Sequence, residues 1–294
     1  MIRYFMNPED LRQRVRAKVP DWLKRAEART EAFRQAGKYD EDSKNSIWSE
    51  IKEVFLEIQH EKCAYCERKL ASRQYGLIEH DVEHYRPKNL VKPWPSKTIA
   101  RKRKLVYDFP TGAAFQEGYY LLAYNILNYT TSCATCNRPL KSNYFPIAGS
   151  RGPQSDDPAS LRAEQPFLPH PVGDSDEDPE ELLTFLGVTA VPKSADLRRQ
   201  RRAQVTIDFF ALNEREELRY QRAERIVELW IALEERQRED DEVRQLADRV
   251  IKIKLSSASS HANCGRAFVA LYSRDRALAK ELADAALGYL EGQS

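Results

Sequence analysis

The sequence has no apolar run long enough to cross a bilayer, although 41% of its 294 residues are hydrophobic. Its first residues, Met1 to Pro8, lack the apolar core of a signal peptide. We therefore expect no membrane segment and a cytoplasmic location. Because the chain has five cysteines and no export signal, we also expect no disulfide framework. Its length has room for one elaborated domain or two smaller ones.

A strong net charge is also missing, since 47 lysine and arginine residues stand against 45 aspartate and glutamate residues. This balance excludes a general attraction of the whole molecule to polyanions. The segment Arg86–Lys104 is a local exception, with eight basic residues and no acidic one. Composition alone leaves two interpretations of it open, a solvated loop and a surface for a polyanion.

The N-terminal half of the sequence predicts helices followed by less regular structure. Asn7 as a cap and Pro8 at the first helical position indicate a helix that continues to about Gly37. Apolar residues at helical spacing predict a second helix over residues 47–58. The pattern of Leu77–Tyr85 is typical of a strand. Residues 87–110 predict a long loop, and residues 119–124 fit either a strand or a helix.

The C-terminal half predicts an irregular segment and then helices. Residues 147–192 are rich in Pro, Gly, Asp and Ser, interrupted by the short apolar run Leu182–Leu186. Two helices are expected over 195–212 and 214–239, a third around 243–253, and a single last helix over about 268–290. We therefore predict four regions: a helical region over 1–60, a core over 61–146, an irregular connection over 147–194 and a helical region over 195–294.

Two Cys-x-x-Cys pairs, far apart in the sequence, predict a zinc site made of Cys63, Cys66, Cys133 and Cys136. Four thiolates leave the ion no open position, so this zinc is expected to be structural. The alternatives are a redox dithiol, which needs only one such pair, and unpaired core cysteines. The fifth cysteine, Cys264, is interpreted as a small buried hydrophobic residue.

Between and after the cysteine pairs lie three further motifs: Asp81-Val82-Glu83-His84-Tyr85-Arg86-Pro87-Lys88, Asn128-Tyr129, and Cys136-Asn137-Arg138-Pro139-Leu140-Lys141. Their order resembles the HNH endonucleases, and in particular the HNH proteins of Septu and retron-type anti-phage defence systems, over about Cys63–Arg222. The resemblance implies an α+β fold: a ββα-metal HNH core with a four-cysteine zinc staple, flanked by N- and C-terminal helical regions. It also implies a metal-dependent endonuclease that hydrolyses phosphodiester bonds in nucleic acid.

The resemblance assigns catalytic roles to the motif residues. His84 matches the general base, because a histidine can take a proton from water near neutral pH. Asn128 matches the asparagine that holds the loop carrying the base. Glu83 and Asn137 match the oxygen ligands of a catalytic Mg²⁺ or Mn²⁺. Many family members carry Asp directly before the histidine, so Asp81 is the substitute for Glu83 as a metal ligand.

Three basic residues within the motifs are candidate phosphate contacts: Arg86, Lys88 and Lys141. By the same resemblance, the protein is expected to be the nuclease effector of an anti-phage defence complex, with DNA rather than RNA as substrate and an ATPase as partner. The alternatives are a non-catalytic zinc-containing module that binds nucleic acid and a zinc-stapled scaffold. A non-catalytic binding module would not need the Glu-His pair and the following Asn. A scaffold would not need the basic segment Arg86–Lys104, which has no acidic residue.

Overall fold

A computed structural model of the protein describes residues 1–42, 46–69 and 79–292. Within these ranges, helices and two small antiparallel sheets make up two compact units, as expected for the α+β class. The first, which we call the site unit, comprises Tyr4–Ala64 and Leu70–Glu177, and the second, the helical unit, comprises Met1–Arg3, Tyr65–Lys69 and Asp178–Ser294. Within the described ranges, none of the helices combines the length and the apolar character needed to cross a membrane.

The described part of the site unit contains helices and one two-stranded sheet. In chain order its elements are α1 (Pro8–Lys18), α2 (Trp22–Ala36), a 3-10 segment (Ile47–Ile51), α3 (Lys52–Ile58), β1 (His80–His84), α4 (Lys97–Arg103), two 3-10 turns (Tyr120–Leu122 and Ile126–Asn128), β2 (Tyr129–Cys133), a π-type helical segment (Cys136–Lys141) and a 3-10 segment (Pro158–Glu164). β1 and β2 are antiparallel, with His84 opposite Tyr129 and Glu83 opposite Thr130.

The predicted helix start at Asn7 is confirmed, because the Asn7 side chain accepts a hydrogen bond from the Asp10 amide at 2.8 Å. The prediction of one helix as far as Gly37 is wrong. Pro20 lacks an amide proton and forces the preceding Val19 into extended backbone (φ −142°, ψ 94°), so α1 ends there and α2 begins anew. Gly37, with φ +67°, then ends α2 in the left-handed conformation that glycine tolerates.

The central predictions are confirmed in part. The strand expected over Leu77–Tyr85 is present as β1, although residues 77 and 78 lie outside the described residues. The second strand does not fall on residues 119–124 but follows them as β2. The loop predicted over 87–110 contains α4, which Ser96 caps through the Ile99 amide. α4 has no buried residue, so its basic side chains lie at the surface.

The helical unit comprises α5 (Pro179–Leu182), β3 (Leu183–Leu186), β4 (Thr189–Pro192), α6 (Leu197–Phe209), α7 (Glu216–Glu235), α8 (Asp241–Leu255), α9 (Ala262–Arg274) and α10 (Arg276–Glu291). Apolar residues of α7 to α10 form its core, with Ile226, Leu229 and Leu233 from α7 fully buried. α6, α7 and α8 fall where apolar spacing predicts helices, whereas α5 lies in the predicted irregular connection.

Two details of this unit differ from the sequence-based predictions. The apolar run in the irregular connection forms β3, which pairs with β4 across Gly187 (φ +58°). The Asn213 side chain further bonds both backbone groups of Ala190 on β4, at 2.8 and 2.9 Å. The single last helix is two helices, because the Asp275 carboxylate accepts from the Leu278 amide at 3.0 Å and starts α10.

Candidate active site and metal centre

The four cysteines of the two Cys-x-x-Cys pairs lie together. All four are buried, and their sulfur atoms lie within 4.8 Å of one another. A zinc ion with four sulfur ligands at about 2.3 Å holds the sulfurs roughly 3.8 Å apart, so the cluster fits a tetrahedral zinc site. Cys264 is buried elsewhere, as predicted. These contacts favour a zinc staple over a redox dithiol or separate core cysteines.

Local hydrogen bonds explain how the two pairs meet. The Ala64 amide, within the first pair, donates to the Thr131 carbonyl of β2 at 3.0 Å. The Gln59 side chain bonds both backbone groups of Thr131, at 2.7 and 2.8 Å. Cys133 is the last residue of β2 and Cys136 the first of the following helical segment. The edge of β2 therefore holds the first pair beside the second.

A cavity of about 260 Å³ lies at the other end of the sheet. Its walls come from three parts of the site unit: the 3-10 segment before α3, the end of β1 with the residues that follow, and the start of the Cys136–Lys141 segment with the residues after it. The lining residues are Trp48, Val82, Glu83, His84, Pro87, Lys88, Asn89, Asn137, Arg138, Ser142 and Asn143. The structure thus brings Glu83, His84, Lys88 and Asn137, all predicted site residues, to one cavity.

His84 is held by a backbone carbonyl and two aromatic rings. Its Nε2 lies 3.0 Å from the Ala123 carbonyl oxygen. Because that oxygen only accepts, Nε2 carries the proton and Nδ1 keeps the lone pair. The ring packs edge-on against Trp48 and Tyr129, at 4.8 and 5.0 Å between centroids. Burial, followed by the charge of Lys88, holds the pKa of His84 well below its usual value, so the imidazole is neutral at pH 7.

Glu83 forms a buried ion pair with Lys141. The Lys141 Nζ lies 3.1 Å from Glu83 Oε1 and 3.4 Å from the His84 carbonyl oxygen, and it is fully buried. Burial raises the pKa of Glu83, and the Lys141 ammonium opposes that rise. Lys141 is not among the cavity-lining residues, so it holds the carboxylate from behind. Its predicted role as a phosphate contact stays a prediction.

The side chain of Asp81, in β1, contacts the side chain of Asn137, in the Cys136–Lys141 segment. The Asn137 side-chain amide donates to Asp81 Oδ2 at 3.1 Å, and the Arg138 guanidinium donates to the same oxygen at 3.1 Å. The side-chain oxygen of Asn137, Oδ1, is a candidate ligand in the cavity that Glu83 also lines. Such a set of hard oxygens suits Mg²⁺ or Mn²⁺, which retain several waters. A catalytic cation at Glu83 and Asn137 stays a prediction, and Asp81, the predicted substitute, contacts Asn137 without lining the cavity.

Asn128 joins the chain after β1 to the chain before β2. Its Oδ1 accepts from the Arg86 amide at 2.8 Å, and its Nδ2 donates to the Arg86 carbonyl at 3.0 Å and to the Leu122 carbonyl at 3.2 Å. It is buried, at 1% exposure. These contacts are the ones needed by a residue that holds the loop next to His84.

Arg86 and Lys88, predicted as phosphate contacts, lie in different surroundings. Arg86 is buried and donates through Nε to Glu164 Oε2 at 3.0 Å. The Lys88 Nζ lies in the cavity wall, 4.7 Å from the ring centroid of Trp48 and 5.2 Å from that of Tyr39. Burial lowers the pKa of Lys88. Contact with phosphate stays a prediction for both.

Trp48, Ala123 and Glu164 belong to the site and were missed in the sequence. Trp48 falls in a helix predicted from apolar spacing, a pattern that does not distinguish a core tryptophan from one in a cavity wall. Ala123 acts through its backbone carbonyl, which leaves no mark in the sequence. Glu164 lies in the predicted irregular connection, where an isolated glutamate is expected to be exposed to solvent.

Comparison with known proteins finds a distant similarity. Over 168 residues the chain is 29% identical to the Septu protein PtuB of Bacillus mycoides (strain KBAB4). The alignment covers 56% of this chain and 48% of that protein, so the chain spans about half the length of the relative it matches. No family model matches the chain, and no solved structure matches it. The similarity supports a distant relationship to Septu proteins.

The cysteine cluster predicts one zinc ion per chain, because four paired thiolates satisfy tetrahedral coordination. Elemental analysis of protein purified without chelator should find about one equivalent. Since zinc binding is coupled to folding, Cys133→Ser should yield insoluble or protease-sensitive protein. Cys264→Ser, which removes a buried thiol outside the cluster, is the control and should keep its zinc. Stable wild-type protein without bound metal would refute the prediction of a structural zinc site.

Proposed function

We propose that the protein is a metal-dependent endonuclease of the HNH type that hydrolyses phosphodiester bonds, with DNA as the expected substrate. The observation that carries the proposal is the placement of His84, with Nε2 protonated by its bond to Ala123, beside Glu83 and Asn137 in one cavity. A neutral histidine next to hard oxygen ligands is what metal-assisted hydrolysis needs. The succession of β1, β2 and the Cys136–Lys141 segment agrees with a ββα-metal core.

In this mechanism the Nδ1 of His84 takes a proton from a water molecule whose oxygen attacks the phosphorus. Glu83 and Asn137 would hold the divalent cation, which neutralises the phosphate and stabilises the leaving oxygen when bound. Lys141 keeps the Glu83 carboxylate in place from behind. The bond to the leaving oxygen breaks, and that oxygen takes its proton from solvent. A zinc ion bound by Cys136, the first residue of the helical segment, would fix the position of the next residue, Asn137.

Two further parts of the proposal come from the similarity to a Septu protein and from the family resemblance. We propose that the nuclease serves anti-phage defence, and that it works with an ATPase partner. The exposed basic helix α4 is the proposed surface for nucleic-acid phosphates, since no acidic residue interrupts the segment that contains it.

His84→Gln tests the nuclease itself. The amide of glutamine can still donate to Ala123 but cannot act as the base, so cleavage should fall by about 10² to 10⁴-fold, or roughly 3 to 5 kcal/mol of barrier. Plasmid DNA and RNA would be incubated with Mg²⁺ or Mn²⁺, and then with chelator. His60→Asn, an exposed histidine outside the cavity, is the control. Cleavage by His84→Gln within a few-fold of the parent would refute the assignment, whereas binding without cleavage by the wild type would favour the non-catalytic module.

Neutralising the basic residues of α4 and its end should weaken nucleic-acid binding and flatten its salt dependence, because fewer counterions are released. The variant changes Arg101, Lys102, Arg103 and Lys104 to glutamine, in the His84→Gln background to prevent cleavage. The control neutralises four exposed basic residues of the helical unit: Arg198, Arg244, Arg249 and Lys252. Affinity would be measured from about 50 to 200 mM salt. If the dependence of affinity on salt concentration does not change, α4 does not contact the nucleic acid.

The proposed partnership is tested by co-expression with any ATPase that a neighbouring gene encodes, followed by size-exclusion chromatography. The helical unit exposes Leu246 and Ile253 on α8, at 56% and 64%. If the helices after Ala195 contribute to the interface, aspartate at both positions should abolish co-elution, because these two apolar side chains share one face of α8 and would be buried in the contact. Val106→Asp, which alters an exposed residue of the site unit, should not. Failure of the wild-type proteins to co-elute would contradict the partnership.

A further inference from the structure

The residues that follow β1 form one wall of the cavity. Pro87, Lys88 and Asn89 line it, and His84 lines it as the last residue of β1. Arg86 lies within this run but does not line the cavity, and it is 5% exposed. Its side chain therefore points into the protein, where it can anchor the wall from behind.

Glu164 is the anchor for the Arg86 side chain. The Arg86 Nε donates to Glu164 Oε2 at 3.0 Å, and Arg86 also donates to the Leu161 carbonyl at 3.2 Å. The other oxygen, Oε1, accepts from the Tyr119 hydroxyl at 2.8 Å and from the Gly152 amide at 3.1 Å. Glu164 is 1% exposed. Both carboxylate oxygens thus accept hydrogen bonds, which fix the orientation of the carboxylate.

The same network holds the backbone of the wall. The Tyr119 amide donates to the Pro87 carbonyl at 2.9 Å, so Tyr119 links Glu164 to the residue after Arg86. Asn128 holds both backbone groups of Arg86. Glu164 therefore acts on the wall at two adjacent residues, Arg86 through its side chain and Pro87 through Tyr119.

We propose that Glu164 is a positioning residue of this site: its buried ion pair with Arg86 sets the position of the segment that carries His84 at one end and Lys88 at the other. The proposal rests on the proposed nuclease function for its catalytic consequence. It also assigns part of the site to the Pro158–Glu164 segment, in residues whose composition predicts an irregular connection.

A buried ion pair is weak evidence of a purely stabilising role. Desolvation of two charges offsets most of their attraction, and apolar residues of similar shape can often replace such a pair without loss of stability. Apolar side chains do not reproduce its directed bonds, however. The two roles can therefore be separated by a variant that removes both charges together.

The experiment compares Glu164→Gln with the double variant Arg86→Met/Glu164→Leu. The single variant leaves the Arg86 charge buried and unpaired, so it should lower the melting temperature, whereas the double variant should recover much of that loss. The control, Glu234→Gln, removes a carboxylate that likewise accepts from an arginine and a tyrosine, Arg276 and Tyr272, in the helical unit. Each protein would be compared in melting temperature, zinc content, single-turnover cleavage rate, and nucleic-acid affinity with chelator.

A second readout does not depend on cleavage. With ¹³C-labelled histidine, the His84 ring signal can be identified by its loss in His84→Gln. We expect the double variant to shift or broaden this signal and to cleave about ten- to a hundredfold more slowly, with zinc content retained and affinity within a few-fold of the wild type. Glu234→Gln should leave both readouts unchanged.

The proposal is overturned if the double variant recovers its melting temperature and has a wild-type His84 signal and cleavage rate, because the pair would then serve folding alone. If the wild type cleaves no substrate, the proposed nuclease function fails, and the His84 signal still decides whether Glu164 positions this segment.

Discussion

The pairing of β1 with β2 is the constraint that relates the cysteine cluster to the cavity. At one end of β2, Cys133 joins a sulfur cluster, and at the other end Tyr129 packs against His84. A shift of one residue in this register would turn the alternating side chains to the opposite face, separating Glu83 from Lys141. β2 therefore takes part in both the cysteine cluster and the packing of His84.

Buried charge is the second feature that shapes the cavity. Glu83 pairs with Lys141, and Arg86 pairs with Glu164, all four side chains being almost inaccessible to water. Desolvation of each ion carries a penalty on the order of several kcal/mol, which the attraction of the partner offsets only in good geometry. Such pairs contribute little to stability. They fix the orientation of the paired side chains instead. Each pair includes a residue within two positions of His84 in the sequence, Glu83 or Arg86.

The helical elements differ in how far their sequence predicts them. Helix starts with a local cap, such as Asn7, follow directly from residue type. The breaks at Pro20 and Asp275 also have local causes, but an apolar pattern that continues across them hides the interruption. The β3–β4 hairpin is harder to predict, because its apolar run is too short to separate strand from coil and part of its pairing comes from Asn213.

The sequence by itself determined the features that act over a few residues or through unusual residue types: two cysteine pairs, the Glu-His motif, the asparagines and the capped helices. Tertiary structure alone decided that Arg86 and Lys141 are buried, that Ala123 sets the protonation of the His84 ring, and that Glu164 joins the site from 78 residues beyond Arg86. The physical reason is that local preferences extend about one helical turn. Burial and the choice of partner depend on which distant segments pack together.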